Sequence, residues 1–169
     1  EVIVTGPNEE GIDKIKELGV RFVRIPLDKN GLSAAADIKY MIALTNLLKA
    51  EKPDITLGYT IKPVIYGAIA AKLAGVKNIN SMVTGVGYVF TAETIKAKVI
   101  RTIASILYRI GFKCADTVIF QNQDDLKEFV ERKLLKREKC KLVNGSGVNM
   151  QKFEPAPLPE IITFFMLSR

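Results

Sequence analysis

The stretch Pro53–Gly75, PDITLGYTIKPVIYGAIAAKLAG, constrains the fold more than any other part of the chain. A short apolar run over Asp54–Gly58 suits a buried strand. A turn follows at Tyr59–Pro63, then a small-residue helix over Val64–Ala74, stopped by Gly75. Proline suits the first position of a helix, where its missing N–H would have found no acceptor, so Pro63 marks the start. Gly67, Ala68, Ala70, Ala71 and Ala74 let that helix lie close against a sheet. Thr60 and Lys62 then stand in a loop at the carboxyl end of a strand, where open α/β sheets bind their ligands. An ordinary βα turn without a ligand fits this stretch equally well.

The same alternation runs through the chain. Glu1–Thr5 reads as a strand, and Asn8 as the cap of a helix that reaches Leu18. Val20–Ile25 is the next strand, and Ser33 caps a long helix to about Ala50 with Ile38, Met41, Ile42, Leu44, Leu47 and Leu48 at helical spacing. Strands are predicted at Asn78–Val83, Thr117–Phe120 and Lys141–Val143. Helices are predicted from Thr94 to Phe112 and from Asn122 or Asp124 to Leu135. Alternating strands and helices predict an α/β fold, a Rossmann-like parallel sheet with helices on both faces. Pro155, Pro157 and Pro159 stiffen a linker over 155–160. The apolar run Ile161–Leu167 beyond it reads as the first strand of a second domain. Residues 1–154 are therefore one domain and 161–169 the beginning of another. With no initiator methionine and a start inside a strand, the chain reads as a fragment.

Several classes of chemistry are excluded within these 169 residues. There is no histidine, so a Ser-His or Cys-His nucleophile and a His-ligated metal are ruled out here. Cys114 and Cys140 have neither metal spacing nor redox-pair spacing and read as buried thiols in a reduced compartment. No apolar run reaches the roughly 18 residues of a membrane span. Asp54 and Asp116 precede strands, away from the expected cleft, and Glu93 complements a helix start, so no carboxylate pair is available for acid–base hydrolysis.

Charge gives a sharper signal. The formal net charge is +7, and Thr94–Lys113 contains Lys96, Lys98, Arg101, Arg109 and Lys113 with no acid among them. Ile95, Val99, Ile103, Ile106 and Ile110 share one face of the same helix, with Lys98, Arg101 and Arg109 opposite. A basic amphipathic helix suits an anionic membrane surface. A merely solvated charged face has the same composition. Nucleic acid fits poorly, because the cations are not interleaved with aromatics. Gly85 and Gly87, and Gly145 and Gly147, follow strands, where glycine lets backbone amides approach an anion closely. Neither GxG extends to a full dinucleotide or Walker pattern, and a simple turn explains each as well.

The segments KPDITLGYTIKPVIYGAIAAKLAGV, TGVGYVFT, ADTVIFQNQDD and VNGSGVNMQKFEP together resemble the amino-terminal half of family 4 glycosyltransferases of GT-B architecture. The branch is the one that extends bacterial lipid-linked oligosaccharides and capsular polysaccharides. The resemblance implies two Rossmann-like domains facing a cleft, the first binding acceptor and the second a nucleotide-sugar, here a UDP-sugar. It implies retaining transfer without a metal or cofactor, to a polyprenyl-diphosphate-linked saccharide, at the inner face of the cell membrane. Thr60, Lys62, Gly85, Gly87 and Tyr88 would line the acceptor side, and Asn144 and Gly145 the interdomain cleft. Lys96, Lys98, Arg101, Arg109 and Lys113 would face the membrane. Arg169 matches the arginine that contacts the donor diphosphate, where a cation stabilises charge on the departing nucleotide. Ser168 replaces the family's usual glycine. The family's first strand and glycine-rich loop would precede Glu1, and its paired donor-site glutamates would follow Arg169, so these residues alone would be inactive, with no catalytic residue among them. A non-catalytic Rossmann-like module binding nucleotides or membranes, and a sugar-nucleotide epimerase, are the other readings.

Overall fold

A computed structural model describes residues 1–8, 11–28, 31, 33–85, 94–153 and 155–166; the side chain of Lys96 falls outside that set. The strands and helices alternate as the sequence predicts. They are β1 (Ile3–Gly6), α1 (Ile12–Glu17), β2 (Arg21–Arg24), α2 (Ala34–Glu51), β3 (Ile55–Tyr59), α3 (Ala68–Ala74), β4 (Asn78–Val83), α4 (Ile95–Cys114), β5 (Thr117–Phe120), α5 (Gln123–Glu131) and β6 (Cys140–Leu142). A π-helical turn, Pro63–Gly67, precedes α3, so the predicted single helix over Val64–Ala74 is built in two parts.

All strand pairs are parallel, in two sheets, β1-β2 and β3-β4-β5-β6. A cleft of about 610 Å³ separates them, lined on one side by Val2, Ile3 and Thr5 and on the other by Ile55–Gly58. The chain winds outward from that cleft in both directions, which makes it the switch point of a doubly wound order. Thr56 Oγ1 is buried at this edge without a hydrogen-bond partner.

The core lies on one face of the larger sheet. Ile79, Val83, Val118 and Phe120 point into a cluster completed by Ala68 and Ala71 of α3, Tyr108 and Phe112 of α4, and Leu126 and Phe129 of α5. Phe129 takes edge-on contacts from Tyr108, Phe112 and Phe120, with ring centroids 5.1, 5.9 and 5.5 Å away. On the opposite face of β3, Ile55, Leu57 and Tyr59 remain exposed. Ser33, Thr94 and Asn122 cap α2, α4 and α5 through side-chain oxygens that accept from backbone amides three residues on.

Backbone approach fixes where β3, the π turn and α4 meet. A Cβ at Gly58 would lie 2.6 Å from the Pro63 carbonyl oxygen, and one at Gly111 would lie 2.9 Å from Ile65 Cα. The π turn is thus held between a strand and a helix that both lack side chains at the contact.

Several details depart from the sequence reading. Helix α1 begins after Gly11, which is left-handed at φ 79°, so Asn8 is not its cap. Helix α2 buries Asp37, Tyr40, Leu44 and Thr45 and leaves Ile38 and Ile42 outside, because Asp37 is drawn inward by a cation described below. Helix α5 ends at Glu131, and Lys133 turns left-handed at φ 55°. Residues 161–166 join no strand ladder and are exposed; a strand needs a neighbour to pair with, and none of the described strands lies against them.

A methyl group at residue 111 should force α4 away from Ile65. Gly111→Ala should destabilise the protein by about 2 kcal/mol in chemical denaturation. Gly145→Ala, with nothing within 4 Å of the added atom, should stay within about 0.5 kcal/mol.

Candidate functional site: the carboxyl edge of the sheet

Parallel pairing brings the loops after β3, β4, β5 and β6 to one edge. They carry Thr60, Thr84 and Gly85, Gln121 and Asn122, and Asn144 to Gly147. Gln121 Nε2 donates to Ser146 Oγ at 3.5 Å, linking the third loop to the fourth. The rim is composed mostly of hydroxyls, amides and glycine, groups that can bond neutral polyols and leave room for a backbone approach.

The elbow after β3 is the most constrained part of the rim. Thr60 is exposed and left-handed at φ 72°, a region that disfavours any side chain with a Cβ. Its carbonyl accepts from Val64 N at 2.9 Å. Lys62 is only 8% exposed. Its ammonium lies 2.7 Å from Asp37 Oδ1 and donates to the Gly31 carbonyl at 2.8 Å. The lysine the sequence placed among acceptor-side residues thus has its charge engaged inside the protein. Its partner, Asp37, was missed, since an acid in the first turn of a helix reads as a dipole-complementing residue. The available signal was register: Asp37, Tyr40 and Leu44 follow one another on the inward face.

Burial raises two phenols behind the elbow. The Tyr40 hydroxyl is pushed up to about 12 by burial. Tyr66 also rises to about 12, first through burial and then through the influence of the Asp37 carboxylate.

Gly85 has φ 152° and Gly147 φ 64°, and added Cβ atoms at 85, 145 and 147 would meet nothing within 4 Å. These loops have open space in front of them. Gly87, Tyr88 and Arg169, expected on the acceptor loop and the donor phosphates, lie outside the described residues, as does the Lys96 side chain. Asn144 and Gly145 are exposed after β6. Among the described residues, no group of three or more histidine, cysteine, aspartate or glutamate side chains could hold a metal ion.

Helix α4 turns its isoleucines outward. Ile95, Val99, Ile103, Ile106 and Ile110 are 83, 56, 53, 49 and 45% exposed, while Ala97, Ala104, Tyr108 and Phe112 face the core. At 3.6 residues per turn, Lys98, Arg109 and Lys113 fall along one border of this stripe, so Lys98 and Arg109 do not lie opposite it as the sequence reading has them. Arg109 is exposed, and its guanidinium also donates to the carbonyls of Arg132 and Lys133, both at 3.2 Å, closing the end of α5. Arg101 is half-buried. Among the described residues, no helix is long and apolar enough to cross a membrane.

A doubly wound parallel sheet whose strand-end loops meet at its carboxyl edge defines a Rossmann-like domain of the kind that GT-B proteins use. Residues 1–122 match the family described as "Glycosyl transferase 4-like", and the chain belongs to that family. It is similar to the N,N'-diacetylbacillosaminyl-diphospho-undecaprenol alpha-1,3-N-acetylgalactosaminyltransferase of Campylobacter jejuni, 28% identical across 92% of this chain and 41% of that protein. It is also similar to the UDP-Gal:alpha-D-GlcNAc-diphosphoundecaprenol alpha-1,3-galactosyltransferase of Escherichia coli, 30% identical across 90% of this chain and 37% of that protein. The chain thus spans about two fifths of the curated relatives it matches. Among solved structures, the UDP-GlcNAc 2-epimerase of Neisseria meningitidis bound to UDP-GlcNAc shares the fold, with TM-score 0.54 and 15% identity over 84% of this chain and 38% of that one.

The raised phenols give a pH test. The folded state holds the Tyr40 proton more tightly than the unfolded chain, whose value is near 10, and keeps it until about 12. The resulting stability is complete below pH 10 and is lost as pH rises through 12. Tyr40→Phe should flatten the fall of stability over that interval, measured by denaturant midpoints at a series of alkaline pH values.

Proposed function

We propose that this chain is the acceptor-side domain of a retaining, metal-independent glycosyltransferase. The whole protein moves a sugar from a nucleotide-sugar, a UDP-sugar, to a polyprenyl-diphosphate-linked saccharide in surface polysaccharide or glycan synthesis. The observation that carries this reading is the pair of relatives: their names differ in the sugar transferred but agree on a diphosphoundecaprenol acceptor. Family membership over residues 1–122 supports the same chemistry.

The outward stripe of α4 supports a location at the membrane. Five apolar side chains bordered by Lys98, Arg109 and Lys113 suit the boundary between acyl chains and anionic headgroups at the inner face of the cell membrane. A membrane there would bring a lipid-borne diphosphate near the rim. The neutral loops at Thr60, Gly85, Gln121 and Asn144 would then bind the saccharide, and a second domain beyond the 155–160 linker would supply the nucleotide-sugar. Arg169 would hold the donor diphosphate, stabilising charge on the leaving nucleotide.

Transfer by the full-length protein should be assayed with undecaprenyl-diphosphate-saccharide, a panel of UDP-sugars and EDTA. Product should form without added metal, with the donor's anomeric configuration retained. Arg169→Ala should reduce turnover about a hundredfold or more, as loss of a charge-stabilising group does. Absence of transfer from every donor, or transfer abolished by EDTA, would contradict the reading.

A further inference from the structure

The sheet's carboxyl edge contains one buried ion pair whose position suits neither direct catalysis nor simple surface solubility. Asp37 and Lys62 have side chains 11 and 10% exposed, and their charged atoms are 2.7 Å apart. An ammonium has three donors, and Lys62 gives one to Asp37 and one to the Gly31 carbonyl. Three separate pieces of chain therefore meet at one nitrogen: the loop leaving β2, the first turn of α2 and the elbow leaving β3. Asp28 steadies the first of these by accepting from Gly31 N at 2.8 Å.

Thr60, two residues before Lys62, keeps its left-handed backbone at φ 72°. Such a conformation persists only where the surroundings over-determine it. On the helix side, Gly58 lies against the Pro63 carbonyl and Thr60 O is bonded to Val64 N. On the other side the constraint comes through Lys62. A lysine built to grip a phosphate would present free donors to solvent, whereas this one is buried with two of its three donors engaged.

We infer that the Asp37–Lys62 pair is a positioning clamp that ties Gly31 and the first turn of α2 to the Thr60 elbow, so that the elbow meets the acceptor already formed. Lys62 acts through Thr60 and Gly31 and does not touch the acceptor. The inference rests on the acceptor-side reading above. Preformed loops spare the ordering cost of binding, so loss of the clamp should weaken acceptor binding and leave the donor unaffected.

The test is a double-mutant cycle in the full-length protein: Lys62→Met, Asp37→Leu and both together. Amide hydrogen exchange over 31–37 and 58–66 is measured without substrates, and KM is measured separately for the undecaprenyl-diphosphate-saccharide and the UDP-sugar. Each single variant should speed exchange in both loops about tenfold and raise the acceptor KM about tenfold. The donor KM should stay within twofold, with kcat falling less than the acceptor KM rises. The double variant should be no worse than either single one, because each removes the same clamp. It also leaves no unpaired buried charge, so it carries the same readouts if a single variant fails to fold. Unchanged exchange in either loop would overturn the clamp whatever the activity. An acceptor KM raised by Lys62→Met but not by Asp37→Leu would overturn it in favour of direct contact. Faster exchange in both loops, with no transfer by the unsubstituted protein, would uphold the clamp and overturn the acceptor reading instead.

Discussion

The turn Pro63–Gly67 is gripped from two sides by backbone, and the rest of the structure depends on that grip. Gly58 brings β3 against the Pro63 carbonyl, and Gly111 brings α4 against Ile65. Side chains normally keep a strand and a helix farther apart. Their absence here fixes the elbow at Thr60 and lays α3 against the sheet. It also fixes the rotation of α4. With Gly111, Ala104, Tyr108 and Phe112 committed to the core, Ile95, Val99, Ile103, Ile106 and Ile110 have only the outside left. The apolar stripe is thus a geometric consequence of how tightly the helix sits on the turn.

Polar and apolar parts of the domain divide the work along a similar line. The core on one face of the sheet is aromatic and aliphatic, with Ser81 as a buried exception whose hydroxyl donates to the Val64 carbonyl at 3.5 Å. Charge enters the interior chiefly at Asp37 and Lys62, where removing either partner would strand the other. Neutral donors and acceptors gather at the carboxyl edge. That arrangement suits a neutral saccharide better than a phosphate.

Much of the architecture was legible in the chain because most strands are short runs containing Val, Ile or Phe, with glycine, proline or asparagine soon after. The elbow was legible through Pro63 and the alanines that follow it. Pairwise and long-range facts were not. Asp37 reads as a helix-start acid until Lys62, 25 residues away, is seen against it. The division into two sheets has no local signature, because β1 and β3 read as ordinary strands whether or not anything lies between them. Amphipathicity of α4 was evident, but which face is buried depends on Gly111, a residue a helical wheel counts as neutral. Strand propensity over Ile161–Leu167 was real too, yet a strand is a relation between segments, and residues 161–166 pair with none of the described strands. Gly87, Tyr88 and Arg169 lie outside the described residues.

The most direct measurement is hydrogen exchange on the full-length protein with anionic vesicles that carry undecaprenyl-diphosphate-saccharide, compared with the same vesicles lacking it. Vesicles alone should protect α4, and the loaded vesicles should add protection at Thr60–Lys62, Thr84–Gly85, Gln121–Asn122 and Asn144–Gly147. Protection that appears instead along the cleft between β1 and β3, or is the same with and without the saccharide carrier, would contradict an acceptor site at the carboxyl edge of the sheet.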